Sequence, residues 1–114
     1  MNDWDEAVAF ALALPGAALS TSYGRPAVKV NGKAFLYPGR EKGSFAAASP
    51  LGEKELLIET DPDTFWESDH YRGWPAVLVR YDSADPERVR QVITRAWWDK
   101  APRALRQQFG DRPW

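Results

Sequence analysis

The stretch richest in reactive groups is His70-Tyr71-Arg72-Gly73-Trp74-Pro75, which places an imidazole, a guanidinium and two large rings within six residues. An imidazole, whose ordinary pKa is about 6.5, can act as a general base or a ligand contact. Arg72 suits a bidentate grip on phosphate or carboxylate. Tyr71 and Trp74 suit stacking on a base or another planar ligand. A structural role fits the same residues: the rings cap an edge of the core, while His70 and Arg72 hydrogen-bond loop carbonyls or Asp69. Tyr23-Gly24-Arg25-Pro26 is a second polar and aromatic loop ahead of a strand. The two loops line a shared concavity if they lie at one end of the sheet.

Other chemistries find less support. Glu53, Glu55, Glu59, Asp61, Asp63, Glu67 and Asp69 form an acidic tract. Carboxylates suit hard cations, but Asp61-Pro62-Asp63-Thr64 lacks the alternating ligands and glycine turn of a calcium loop. A solvated helix face accounts for the tract. The chain has no cysteine and one histidine, which excludes thiol catalysis, disulfide scaffolds and multi-histidine metal centres. Nucleophile elbows, phosphate-cradling glycine loops and dinucleotide fingerprints are absent. Ser22, His70 and Asp69 can be assembled on paper into a triad, but triads are defined by geometry and no spacing supports this one. The expectation is a non-enzymatic protein with no metal and no cofactor.

The 114 residues, 44% of them hydrophobic, suffice for one domain spanning residues 1–114 with a core of modest depth. Fifteen lysines and arginines against sixteen acidic residues leave a net charge of -1, which excludes a polycation or an acidic disordered tail. The charge is uneven: residues 1–69 carry 6 basic and 11 acidic groups, residues 70–114 carry 9 and 5. Arg88, Arg95, Arg103 and Arg106 form either a local basic face on the C-terminal helices or an ordinary solvated face of mixed charge. The longest apolar run, Ala7 to Leu14, is eight residues, well short of the ~18 that span a bilayer. The segment before it carries Asp3, Asp5 and Glu6 and no basic residue, unlike a secretory leader. A cytoplasmic protein without membrane contact is expected. The aromatic share of 13% serves both core packing and contact surfaces.

These groups must be positioned by elements whose signals are local. Asp3 and Glu6 make a capping box for a mostly buried helix with Trp4, Ala7, Val8, Ala11 and Leu12 on its stripe, widened by Phe10 and Leu14. Pro15-Gly16 ends it, and residues 17–25 read as a loop. Asn31-Gly32 predicts a type I′ hairpin turn, with Val30 opposite Lys33, Val28 opposite Phe35 and Ala27 opposite Leu36. Ser44 to Ala48 reads as a third strand. Ser49-Pro50 opens a helix, with proline in its first turn and a body over Glu53 to Glu59. Phe65-Trp66 is a brief strand and Ala76 to Tyr81 a central one. Asp85-Pro86 opens the longest helix, on which Val89, Val92, Ile93, Ala96 and Trp97 face the core, Arg90 and Asp99 face solvent, and Trp98 is partly exposed. A last turn, Arg103 to Phe109, stops at Gly110. The order α-β-β-β-α-β-α is an α+β fold: an antiparallel sheet covered by helices, its other face partly exposed.

Taken in order, several of these pieces resemble the MmcQ/YjbR family of small bacterial proteins. The resemblance runs from Leu12-Ala13-Leu14-Pro15-Gly16 through Thr21-Ser22-Tyr23-Gly24-Arg25-Pro26-Ala27 and Val30-Asn31-Gly32-Lys33 with Phe35. It continues in Asp69-His70-Tyr71-Arg72-Gly73-Trp74-Pro75 with Val77-Leu78-Val79-Arg80, and ends in Ala96-Trp97 with Ala101-Pro102, covering about residues 5 to 109. It implies a compact, frataxin-like α+β domain and DNA binding through a double-wing geometry. Under that reading the partner is DNA or a single strand, met by Arg72, Arg88, Arg95, Arg103 and Arg106. The alternative is a small-ligand or protein-interaction module that uses the His70 to Pro75 loop and the exposed sheet face, with Tyr23, Arg25, His70, Tyr71 and Trp74 as its contacts.

Overall fold

Two tight turns in succession build half of the sheet in the computed structural model, which describes residues 1–114. Asn31 and Gly32 have φ of 51° and 74°, the pair of left-handed residues that a type I′ turn requires. Tyr23 and Gly24, at 52° and 78°, make a second such turn. It joins β1 (Ala18–Ser22) to β2 (Arg25–Val30) with Ser22 opposite Arg25. Most of the segment expected to be a loop is therefore an edge strand. Its sequence, Ala-Leu-Ser-Thr-Ser, is exposed almost throughout, so no buried face announces it; backbone pairing to β2 makes the strand.

The chain continues through β3 (Lys33–Pro38) and β4 (Ser44–Ala48), then β5 (Phe65–Trp66) and β6 (Ala76–Arg80). All pairings are antiparallel, in the order β1-β2-β3-β4-β6-β5. This is the α+β class expected, with β1 added. The expected register of the Asn31-Gly32 hairpin holds only near its turn. Val30 faces Lys33 and Lys29 faces Ala34, but a bulge then shifts Val28 onto Leu36, not Phe35, and also removes the Ala27–Leu36 pairing. The extra residue breaks the alternation of a flat strand, so that Phe35 and Leu36 are both fully buried.

Alternate residues of the inner strands serve two faces. Phe45, Ala47, Val77 and Val79 belong to the main core with Val28 and Phe35. Against them pack α1 (Trp4–Leu12), through Ala7, Val8 and Ala11, and α3 (Pro86–Lys100), through Val89, Val92, Ile93, Ala96 and Trp97. Ile93 and Trp97 are fully buried and Asp99 is exposed, as the spacing predicts, while Arg90 is half-buried. The α1 stripe is narrower than expected: Leu12 faces solvent and Phe10 is half-buried. Asp3 caps α1 by accepting from the Glu6 N–H at 2.9 Å, whereas the Glu6 carboxylate accepts from the Asn2 N–H, so the box closes one residue early.

The other face of the inner strands carries a small cluster, Ala46, Leu78, Ala76 and Tyr71, with Tyr37 and Trp66 against it. Over it lies a 3₁₀ turn, Asp69–Tyr71, while α2 (Leu51–Thr60), with Pro50 at the cap and outside the first turn, packs Leu57 into the main core. A final helix, α4 (Arg103–Phe109), follows α3. No helix is long and apolar enough to cross a membrane.

Candidate functional site

On the second face Tyr71 of the 3₁₀ turn packs on β4 and β6, and a cleft of about 550 Å³ opens beside it. Three segments line it. The Tyr23-Gly24 turn gives Ser22, Tyr23, Arg25 and Pro26; the end of β3 gives Tyr37, Pro38 and Arg40; the loop gives His70, Tyr71, Trp74, Pro75 and Ala76. The two polar-aromatic loops thus meet at one concavity, and Tyr23, Arg25, His70, Tyr71 and Trp74 all reach it.

Each wall is fixed locally. Tyr23 sits at the tip of a type I′ turn in a left-handed conformation that a bulky residue rarely adopts, and its side chain is fully exposed. Tyr71 is buried, and its hydroxyl accepts from the Arg40 N–H at 3.2 Å, which ties the loop to the end of β3. His70 lies edge-on to Tyr71 at 4.9 Å and stacks on Trp74 at 5.9 Å, with ring planes 27° apart. Burial raises the Tyr37 pKa, helped by the neighbouring Tyr23 and Tyr71, so this phenol keeps its proton.

The loop itself hangs on a residue that the sequence does not single out. Lys54, on α2 and only 2% exposed, donates to the Tyr71 carbonyl at 2.7 Å and the Trp74 carbonyl at 3.0 Å, and pairs with Glu67 at 2.9 Å. All three ammonium donors are used, which a buried charge requires. Glu53-Lys54-Glu55 reads as a solvated run. The one hint was that Leu56, Leu57 and Ile58 are consecutive and cannot share one helix face; only Leu57 of the three is fully buried, beside Lys54.

The remaining candidates are dispersed. Arg72 points away from the cleft into an exposed pair with Asp69 at 2.8 Å. Arg88 bonds Thr60 at 2.9 Å and sits over the Phe65 ring. Arg95 pairs with Glu53 at 3.0 Å and stacks on Trp114. Arg106 donates to the Trp98 carbonyl at 2.8 Å, and Arg103 stands free in solvent. Four of the five arginines are thus engaged within the chain. Ser22 and His70 both border the cleft, but no hydrogen bond joins them and Asp69 is held by Arg72. No three His, Asp or Glu side chains converge as a metal site would require.

The molecule is a small α+β domain with a six-stranded antiparallel sheet, helices packed on one face and a ring-lined cleft on the other. The YjbR family model matches residues 12–98, and the chain belongs to that family. It is 34% identical over 89 residues to the uncharacterised proteins Rv2570 of Mycobacterium tuberculosis and Mb2600 of Mycobacterium bovis, an alignment covering 75% of this chain and 69% of each relative. Its fold is similar to the crystal structure of Deinococcus radiodurans protein DR2400, with a TM-score of 0.73 over 99% of this chain and 91% of that one at 13% identity.

Proposed function

We propose that this YjbR-family domain is a non-enzymatic binding module whose ligand occupies the cleft between the Tyr23 turn and the His70 to Pro75 loop. One observation carries the reading: Tyr23, His70 and Trp74, all exposed, gather with Tyr37 and the buried Tyr71 around a cleft of about 550 Å³, within the size range of small-molecule sites. The left-handed Tyr23 supports it, because such strain persists where a side chain is needed in place. Nothing orients His70 as a base toward a nucleophile, which favours binding over catalysis. Titration of the ¹⁵N-labelled protein with naphthalene-based ligands tests the site. Shifts are expected at residues 22–26, 37–40 and 70–76 and are weakened by Trp74→Ala; shifts confined to other surfaces would refute it.

A second reading is a single-stranded nucleic acid whose bases stack on Tyr23 and Trp74, which are 102% and 57% exposed. Arg25 and Arg40 beside them would meet its phosphates. With so few free arginines, DNA binding of this kind is weak, and log K falls with log salt by only about 0.7 per phosphate contact on a single strand. Fluorescence anisotropy at low and moderate salt, with single- and double-stranded oligonucleotides, is expected to show binding to the single strand only. No binding to either form removes this reading and leaves the first intact.

A further inference from the structure

The charge around the cleft is not that of the rest of the surface. Of the ten arginines, seven are engaged inside the chain: Arg72, Arg88, Arg90 and Arg95 in ion pairs, Arg80 and Arg106 on carbonyl oxygens, Arg112 over the Trp114 ring. Arg25, Arg40 and Arg103 have no such partner, and the first two border the cleft. The sixteen acidic residues contribute none to its lining. Two unneutralised guanidinium groups therefore share a concavity with no carboxylate, in a chain that is net negative.

Both arginines are rooted in fixed backbone. Arg25 pairs with Ser22 across the type I′ turn, and the Arg40 N–H is bonded to the Tyr71 hydroxyl. The same cleft holds a planar component: the Trp74 and His70 rings stack with planes 27° apart and Trp74 is 57% exposed, so a further flat ring can extend that stack.

Building on the reading of the cleft as a ligand site, we propose that its ligand is a flat aromatic ring bearing an oxyanion, carboxylate or phosphate, with the ring against Trp74 and the anion held by Arg25 and Arg40. A cationic ligand finds no carboxylate here. A neutral ring leaves both guanidinium groups without the charge-assisted, forked hydrogen bonds they are shaped to make.

Four matched probes decide this by the same ¹⁵N titration: 1-naphthoate, 1-naphthyl phosphate, 1-naphthalenemethanol and 1-naphthylmethylammonium, with inorganic phosphate as a fifth. At least one anionic naphthalene is expected to bind about tenfold tighter than the alcohol. Which of the two anions wins distinguishes carboxylate from phosphate. The ammonium compound binds more weakly than the alcohol, and inorganic phosphate binds weakly without the ring. Arg25→Gln with Arg40→Gln, both exposed positions whose folding the same spectrum reports, brings the anions down to the affinity of the alcohol. If the alcohol binds the cleft as tightly as both anions, the ligand class proposed here is wrong and the cleft is still a ligand site. If no probe perturbs the cleft, the binding-module reading fails with it.

Discussion

Tyr23 adopts a backbone conformation that asparagine tolerates far better, and its ring touches solvent on all sides. Tyr23→Asn is therefore expected to stabilise the domain by about 1 kcal/mol in urea unfolding while weakening the binding of aromatic probes to the cleft. A stability gain with unchanged binding would separate Tyr23 from the site. Lys54 acts in the opposite direction. Lys54→Met keeps most of the volume but strips two carbonyls and Glu67 of their donor, at an expected cost of about 1.5–3 kcal/mol. Hydrogen exchange is expected to quicken at residues 69–75 and to stay slow in β4 and β6; uniform acceleration would show that Lys54 supports the whole fold and not the loop. Tyr81 sets an alkaline limit. Burial above all, then Asp3 and Asp5, push its pKa from 10.0 up to about 12. The folded state thus holds this proton more tightly than the unfolded chain, so the stabilisation is complete below about pH 10 and is lost as pH rises toward 12. Tyr81→Phe is expected to flatten that part of the stability–pH curve. At this scale the sequence was half legible. His70, Tyr71 and Trp74 stand out by type, whereas Lys54 is hidden because a buried lysine and a solvated one have the same neighbours in sequence.

Secondary-structure elements were most legible where backbone chemistry decides them. Asn31-Gly32 needs two left-handed residues and has them, so Gly32→Val is expected to cost roughly 1 kcal/mol or more in urea unfolding, although a Cβ there meets no other atom. An unchanged midpoint would mean the turn relaxes to another type at no cost. Tyr23-Gly24 builds the same turn one strand earlier and is not legible, because tyrosine is a poor sequence signal for positive φ. The polar strand β1, which depends on that turn, is hidden with it. The bulge in the next hairpin was equally hidden: Ala34-Phe35-Leu36 fits a regular strand, and only the demand to bury both large residues shifts the register. On α3 the spacing sufficed, since five apolar residues recur at helical intervals and all five are buried.

Across the whole molecule, Trp97 joins distant parts of the chain. Its ring fills the core between α1, α3 and the sheet, and its indole N–H donates to the Pro15 carbonyl at 2.9 Å, 82 residues away in sequence. Trp97→Ala is expected to cost about 3–5 kcal/mol. Calorimetry would show this as a large loss in unfolding temperature; a small one would mean that neighbouring rings collapse into the space. The architecture is readable as α+β because the Asn31-Gly32 hairpin and the strand after it follow one another without a helix between, which makes their connections antiparallel. The cleft is not, because it depends on how the Tyr23 turn and the 3₁₀ loop are brought together by the sheet. The strand order also bears on how the chain is made. β1 to β4 lie side by side in the order they are synthesised, but β6 must slot in between β4 and β5. Until Ala76–Arg80 leave the ribosome, the outer edge of Ser44–Ala48 has no neighbour, an interval of a few seconds at about 5–20 residues per second. An apolar strand edge left open for that long invites pairing with other nascent chains, so the yield of this protein at high expression is tied to how promptly one late strand arrives.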